Sequence, residues 1–243
     1  MVDDYILILT IIMLLSIVQS IFGIGILMFG TPILLLMGYD FTIALGFLLP
    51  ASLSVSLLQV ITFQGQRPSI SPYLYLLCLP TIMFGLWLVG STSLTSVSHY
   101  FVGGILIMSA FIRFNSQFQS RLTILLTKHI PIYHLILGLV HGLTNLGGAL
   151  LTILASCTSK DKTSIRYIVA HYYLLFSLTQ LFVLYVIVKV PNLFSSNLFT
   201  GILSACVYQL VGNQIFIYTN NNAYQIALNI FIFICGLAIL FNA

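Results

Sequence analysis

A few polar side chains stand in a sequence with little room for them. In "HGLTNLGGALLTI" His141, Thr144 and Asn145 lead into the glycine pair Gly147 and Gly148. In "GIGILMFGTP" Gly23, Gly25 and Gly30 interrupt another apolar run, with Thr31 and Pro32 close behind. Gln59, His171 and Gln180 lie deep inside neighbouring apolar segments. These residue types share one kind of chemistry. Carboxamides and hydroxyls donate hydrogen bonds to an oxyanion, and an imidazole gains a proton near neutral pH. A helix that restarts after a glycine break turns unpaired N–H groups and a partial positive charge toward whatever fills the gap. Gly23, Gly25, Gln59, His141, Thr144, Asn145, Gly147, Gly148 and Gln180 are therefore the candidate anion-binding set. His141 and His171 are the candidates for moving a proton with the anion, and Thr31 and Ser156 are secondary donors. Each has a plainer alternative: glycines that let helices approach, and polar groups that join helices.

Other chemistries lack their residues. The chain has no G-x-S-x-G, no H-E-x-x-H and no glutamate, and its acids are Asp3, Asp4, Asp40 and Asp161. No enzymatic activity is expected. Cys78, Cys157, Cys206 and Cys235 form no C-x-x-C pair, so neither a thiol relay, nor a metal site, nor any cofactor is expected. With no carboxylate inside an apolar segment, cation transport is disfavoured as well.

The elements that must position these residues follow from composition. Of 243 residues 60% are hydrophobic and only 5% charged, with a mean hydropathy of +1.12. A soluble domain carries roughly 25% charged residues. Apolar stretches long enough to cross a bilayer recur along the chain, the mark of an all-α polytopic membrane protein. Its N-terminus has Asp3 and Asp4 and no Lys or Arg before the first apolar run, so that run reads as a retained segment rather than a leader.

The apolar segments come in two matching series, offset by about 122 residues. Gly25 falls on Gly148, "SLLQ" at 56–59 falls on "SLTQ" at 177–180, and "LVG" at 88–90 falls on "LVG" at 210–212. This predicts two homologous membrane repeats, 1–114 and 132–243, joined by a polar linker at 115–131. Each would hold a glycine-broken pair (5–21 with 24–37; 132–143 with 147–157) and three spanning helices (41–64, 72–90, 98–114; 165–188, 198–217, 223–241). At 1.5 Å per residue each member of a pair reaches about 25 Å or less, short of a core of roughly 30 Å. The pairs could therefore be full spans or re-entrant hairpins.

Charge placement orients the repeats. If each pair returns to its own side, Arg67, Arg113, Arg121, Lys128, Lys160, Lys162 and Arg166 share one face, and only Lys189 joins Asp3, Asp4 and Asp40 on the other. If each pair were one kinked span, the bases would divide five against three. The positive-inside rule favours the first arrangement, which makes the repeats inverted copies. Arg166 would then stand at the cytoplasmic mouth, as an anchor or as an attractor of anions.

Inverted repeats with interrupted helices are a recurrent transporter design, with the substrate held between the breaks. At "GIGILMFGTP" and "HGLTNLGGALLTI" the chain resembles the sulfite exporter TauE/SafE family, also called the 4-toluene sulfonate uptake permease family. Those proteins carry a Gly-rich break in each copy, followed by a proline. Here Pro32 keeps that pattern and Ala155 replaces the second proline. The resemblance implies a multi-pass permease of a prokaryotic inner membrane for sulfur-containing anions such as sulfite or organosulfonates. The expected partners are that small anion and the lipid bilayer, with no nucleic acid, and a homo-oligomer is left open. An anion channel or a non-transporting assembly protein is the alternative.

Overall fold

The computed structural model describes residues 2–91, 124, 126, 128–189 and 197–241. The expected segment at 98–114 and most of the linker lie outside the described residues. Within them the chain is helical and contains no strand. In hydrocarbon a helix pairs its backbone groups within itself, which an open sheet edge cannot do.

The helices are α1 (Val2–Phe22), α2 (Ile26–Leu36), α3 (Phe41–Ile61) and α4 (Leu79–Ser91, entered through a π-helical turn, Leu74–Cys78). After the linker come α5 (Ile130–Thr144), α6 (Gly148–Thr158) and α7 (Lys162–Phe182, continued by a π-helical turn, Val183–Ile187). Last are α8 (Leu198–Val207, running on through 208–212 to Asn213–Tyr218) and α9 (Asn221–Phe241). Four of the described helical stretches, Asp4–Phe22, Phe41–Ile61, Lys162–Ile187 and Leu198–Tyr218, are long and apolar enough to cross a membrane.

One expectation needs correction. α1 is not a short member of a pair: its 21 residues reach about 32 Å, because Val2, Asp3 and Asp4 extend the helix beyond the apolar run. α2, α5 and α6 have 11, 15 and 11 residues and stay well short of a bilayer core. Counted along α2 and α6, each break lies about 16 Å from the far end of the short helix that follows it.

Contacts fix which helix ends lie together. Arg166, near the start of α7, reaches the Ser20 carbonyl at the end of α1 (3.1 Å). Phe63, after α3, stacks near Tyr167 (4.5 Å), and Lys162 N donates to Asn221 at the start of α9 (3.1 Å). At the opposite end Tyr5 meets Phe47 (6.2 Å), and Thr200 of α8 donates to the Phe47 carbonyl (2.9 Å). Ile130 at the start of α5 and Thr158 at the end of α6 line one cleft with Ile168 of α7, so α5–α6 opens toward the end at which α7 starts, and α1 starts at the opposite end. Arg67, Lys128, Lys160, Lys162 and Arg166 gather at one end, and Asp4, Asp40 and Lys189 at the other; Arg113 and Arg121 lie outside the described residues.

Polarity is distributed inside out. Leu76, Ile202, Leu210 and Ile61 are exposed, whereas Ser16, Gln19, Ser52, Ser56, Gln59, His141, Asn145, Ser177 and Gln180 are buried. Apolar side chains facing outward and hydrogen-bonding groups facing inward suit lipid as the solvent. Small residues set the closest approaches. Ser16 bonds Ser204 (2.8 Å) between α1 and α8. Between α4 and α5 a Cβ on Gly142 would lie 2.6 Å from the Ile82 carbonyl oxygen, and one on Gly85 would lie 3.1 Å from the Gly142 backbone. The glycine stripe Gly138–Gly142 is thus a packing seam.

Candidate functional site

The first break is Gly23–Gly25. Gly23 holds φ +79°, and a Cβ there would stand 3.0 Å from Val169; both demand glycine. Just before it, Gln19 on the last turn of α1 folds across the gap. Its Oε1 accepts from Ile26 N, the first N–H of α2 (3.1 Å). Its Nε2 donates to Ser52 O and Ser52 Oγ (both 3.1 Å) and to Ser56 Oγ (3.0 Å) on α3. The ends of α1 are closed too: Gln59 Nε2 donates to Gln19 O (2.8 Å) and Ser20 O (3.1 Å), and Gly23 N to Gln19 O (2.8 Å). The Oε1 of Gln59 is the atom left over.

The second break, Asn145–Gly147, has the same length and a different filling. Asn145 takes the left-handed conformation, φ 63°, that asparagine tolerates at a helix C-terminus. Its N–H caps His141 O (2.8 Å), and Thr144 Oγ1 accepts from Leu146 N (3.1 Å). Asn145 also joins the two breaks, since its Nδ2 donates to Thr31 of α2 (2.7 Å) and its Oδ1 accepts from Gln180 Nε2 (3.2 Å). The Tyr173 hydroxyl and Ser177 Oγ are buried without a hydrogen-bond partner, and the buried His141 ring has the Gln180 side chain as its polar neighbour. The imidazole lies against Phe176 (4.4 Å) with Tyr173 at 5.7 Å. A Cβ on Gly147 would stand 2.6 Å from His141 Cβ, and one on Gly148 would run into the Tyr173 hydroxyl.

The two breaks correspond residue by residue. Gln19 lies as far from Phe22 and Ile26 as His141 lies from Thr144 and Gly148. Ser52, Ser56 and Gln59 are placed from Phe41, the start of α3, as Tyr173, Ser177 and Gln180 are from Lys162, the start of α7. Turn by turn, those three positions point to one face of a helix.

Every residue of the candidate binding set therefore lines one of the two breaks. His171 does not reach them: it is two residues from Tyr173, on another face of α7, and its Nε2 pairs with the Tyr75 hydroxyl (3.2 Å). Ser156 is buried in α6 about 12 Å along the helix from the break. Arg166 is buried rather than open to a mouth. It donates to Ser20 O (3.1 Å) and Asn213 Oδ1 (3.2 Å) and lies 3.4 Å over the Phe216 ring, holding α1 and α8 to α7. Lys162 closes the end of α8 by donating to Phe216 O (2.6 Å) and Thr219 O.

Sequence reasoning passed over Gln19, Ser52 and Tyr173. The repeat offset carries the missing signal, since it sets Gln19 against His141 and Ser52 against Tyr173. A cleft of about 410 Å³ at the basic end, walled by Ser69, Pro72, Ile130, Thr158, Ile168 and Tyr172, approaches this pocket. Tyr172 meets Phe176 (5.9 Å), the ring on which His141 lies. Among the described residues no group of His, Cys, Asp or Glu is arranged to hold a metal ion. The chain matches no protein-family profile, no curated protein and no solved structure.

Proposed function

We propose that the chain is a multi-pass membrane transporter of small anions, working by alternating access, with the substrate held at the second helix break between two inverted repeats. The observation that carries this reading is the pair of buried, unpartnered hydroxyls on Tyr173 and Ser177, with Tyr173 and His141 against the first turn of α6. Each unpaired buried polar group costs about 1–3 kcal/mol, so such a pair is kept where a ligand repays it. Hydroxyls, an imidazole and helix N–H groups favour negative charge at that spot, with no carboxylate to oppose it. The matching positions of the two breaks support a duplication, and their opposite entry supports inverted copies. The gathering of basic residues at one end makes that end cytoplasmic. The cleft beside Tyr172 then serves as the cytoplasmic approach, with Tyr172 and Phe176 between it and His141.

The resemblance to the sulfite exporter TauE/SafE family supplies the cargo class, sulfur-containing anions such as sulfite or organosulfonates, and the prokaryotic inner membrane as the location. His141 is the group that accompanies the anion with a proton.

The test is a thermal-shift panel on detergent-purified protein with sulfite, thiosulfate, sulfate, sulfoacetate, taurine and chloride, followed by counterflow in proteoliposomes. A ligand at 100 times its dissociation constant stabilises by about 2.7 kcal/mol. The expected result is a shift with one sulfur oxyanion that weakens in Ser177→Ala, together with saturable flux of that anion. No shift with any of them in a folded protein refutes the reading, and flux without saturation makes the protein a channel.

A further inference from the structure

Three separate stretches of chain meet at the cleft of about 410 Å³ beside Tyr172, and each brings a base. Ser69 and Pro72 come from the stretch before α4, Ile130 from the start of α5 and Thr158 from the end of α6. Arg67 stands two residues before Ser69, Lys128 two before Ile130, and Lys160 two after Thr158. Two residues span at most about 7 Å of backbone, within the reach of a long basic side chain, and all three bases are exposed. Asp161, the one acid at this end among the described residues, is turned to its own helix, where its carboxylate accepts from Ser164 N (3.0 Å) and from the Thr163 hydroxyl. The surroundings of the cleft are therefore positive, with no described carboxylate left to balance them.

The interior is apolar. Ser69 and Thr158 are exposed at its edge, whereas Leu154 and Ile168 line it from buried positions. From Pro72 the apolar surface continues outward, since Tyr75 and Leu76, three and four residues on, are exposed. Tyr75 is held to α7 beside the cleft by its hydrogen bond to His171 (3.2 Å). The volume falls within the roughly 300–1,000 Å³ of small-ligand sites.

We propose that this cleft seats an anionic phospholipid, with its phosphodiester among Arg67, Lys128 and Lys160 and the start of an acyl chain over Leu154 and Ile168, leaving toward Tyr75 and Leu76. A guanidinium grips a phosphate through two parallel N–H bonds, and lysines add point charges. Basic pockets between membrane helices bind such headgroups on the cytoplasmic side. A small free anion meets the bases and leaves the apolar wall unused; a zwitterionic lipid brings a cation to a place that already has three. The inference goes beyond the transport reading and needs only that this end of the bundle lies at a headgroup layer. On the transport reading the same cleft is the approach to His141, so a seated lipid narrows it.

The experiment measures the thermal midpoint of the full chain in detergent with added phosphatidylglycerol, phosphatidylcholine of the same acyl chains, or glycerol phosphate, and counts retained lipid by native mass spectrometry. Phosphatidylglycerol is expected to raise the midpoint by about 2 °C or more and to stay bound, and the other two to do neither. A base near the membrane surface is worth about fivefold in binding. Arg67→Gln, Lys128→Gln and Lys160→Gln should each weaken retention by about that factor, and the triple variant at least tenfold. Ser69→Trp, which fills the cleft edge with an indole, should weaken it too, whereas Lys189→Gln removes the same charge at the opposite end and should change nothing. Equal responses to phosphatidylglycerol and phosphatidylcholine overturn the inference. So does an equal response to glycerol phosphate, which makes the place one for a free anion. A loss in Lys189→Gln as large as in the other single variants also overturns it, because the effect is then one of net charge. The substituted side chains are exposed, so the variants are expected to fold. Should the triple variant not fold, the single variants and Ser69→Trp decide, and full retention in all of them overturns the inference.

Discussion

The two helix breaks have equal length and corresponding flanks, yet they are filled differently. In the first, Gln19, Gln59, Ser52 and Ser56 close nearly every polar group on another. In the second, a histidine stands at the glutamine's spacing from the break and a tyrosine at a serine's, and the Tyr173 and Ser177 hydroxyls are left without partners. On the proposed reading the same backbone device serves as a joint in one place and as a receptive site in the other. What separates them is side-chain hydrogen bonding. A glycine break in a membrane helix therefore says that the backbone is interrupted, and its neighbours say why.

The largest expected effect separates the glycines. A Cβ on Gly25 would stand 2.7 Å from Gln19 N and 2.9 Å from Leu15 O, both backbone atoms that cannot step aside. Gly25→Ala is expected to cost about 3 kcal/mol or more and to reduce the folded fraction on size-exclusion chromatography. Gly148→Ala meets mainly the far end of the Tyr173 side chain. It is expected to fold, with a midpoint closer to wild type, and to lose the anion response. Equal damage from the two would break the distinction between joint and site.

Next come the polar groups. Gln19→Leu strands Ile26 N–H and both serine hydroxyls inside the bundle, an expected loss of about 2–3 kcal/mol by thermal unfolding. Ser177→Ala removes a hydroxyl that has no partner, so its midpoint is expected to hold or to rise by the equivalent of up to about 1 kcal/mol. Its counterpart Ser56→Ala removes an acceptor that Gln19 uses and should lower the midpoint. Opposite signs for the two serines are the sharpest statement of the comparison; two losses of equal size would mean that Ser177 is paired after all.

Much of this was legible in the sequence. Composition predicted helices long and apolar enough to cross a membrane, the glycines located both breaks, and the shared S-L-x-Q placed Gln59 and Gln180 beside them. Two things were not legible, for physical reasons. α1 is longer than its apolar run because Asp3 and Asp4 continue the helix, and hydropathy does not register charged residues that extend a helix beyond its apolar core. The distinction between joint and site depended on Gln19, Ser52 and Tyr173, ordinary residues until their partners are known. Serine and tyrosine hydroxyls look alike in sequence whether they are bonded, as at Ser52, or unpaired, as at Tyr173. The packing of Arg166 was not legible for a related reason. A cation near a segment end suggests an anchor or a mouth, and only packing shows that it is buried over Phe216.

The smallest effect concerns the aspartates that begin the long helices beside each break. Asp40 precedes α3 and makes no side-chain cap, whereas the Asp161 carboxylate accepts from Ser164 N (3.0 Å) and from the Thr163 hydroxyl. Burial pushes the Asp161 carboxyl up, but the hydrogen bonds from Thr163 and Ser164 outweigh it and hold the group below the ordinary carboxylate value of 3.8. A carboxyl depressed in the folded state stabilises the fold above its unfolded value. That contribution disappears as the pH falls through the lower, folded value. Asp161→Ala is therefore expected to cost about 0.5–1 kcal/mol at neutral pH, and the gap from wild type should close as the pH falls below about 4. Asp40→Ala should cost less at neutral pH, since no cap is lost. Thermal midpoints of both variants across pH 3 to 7 measure this, and a pH-independent deficit in Asp161→Ala would mean that the side chain acts by packing rather than by its charge.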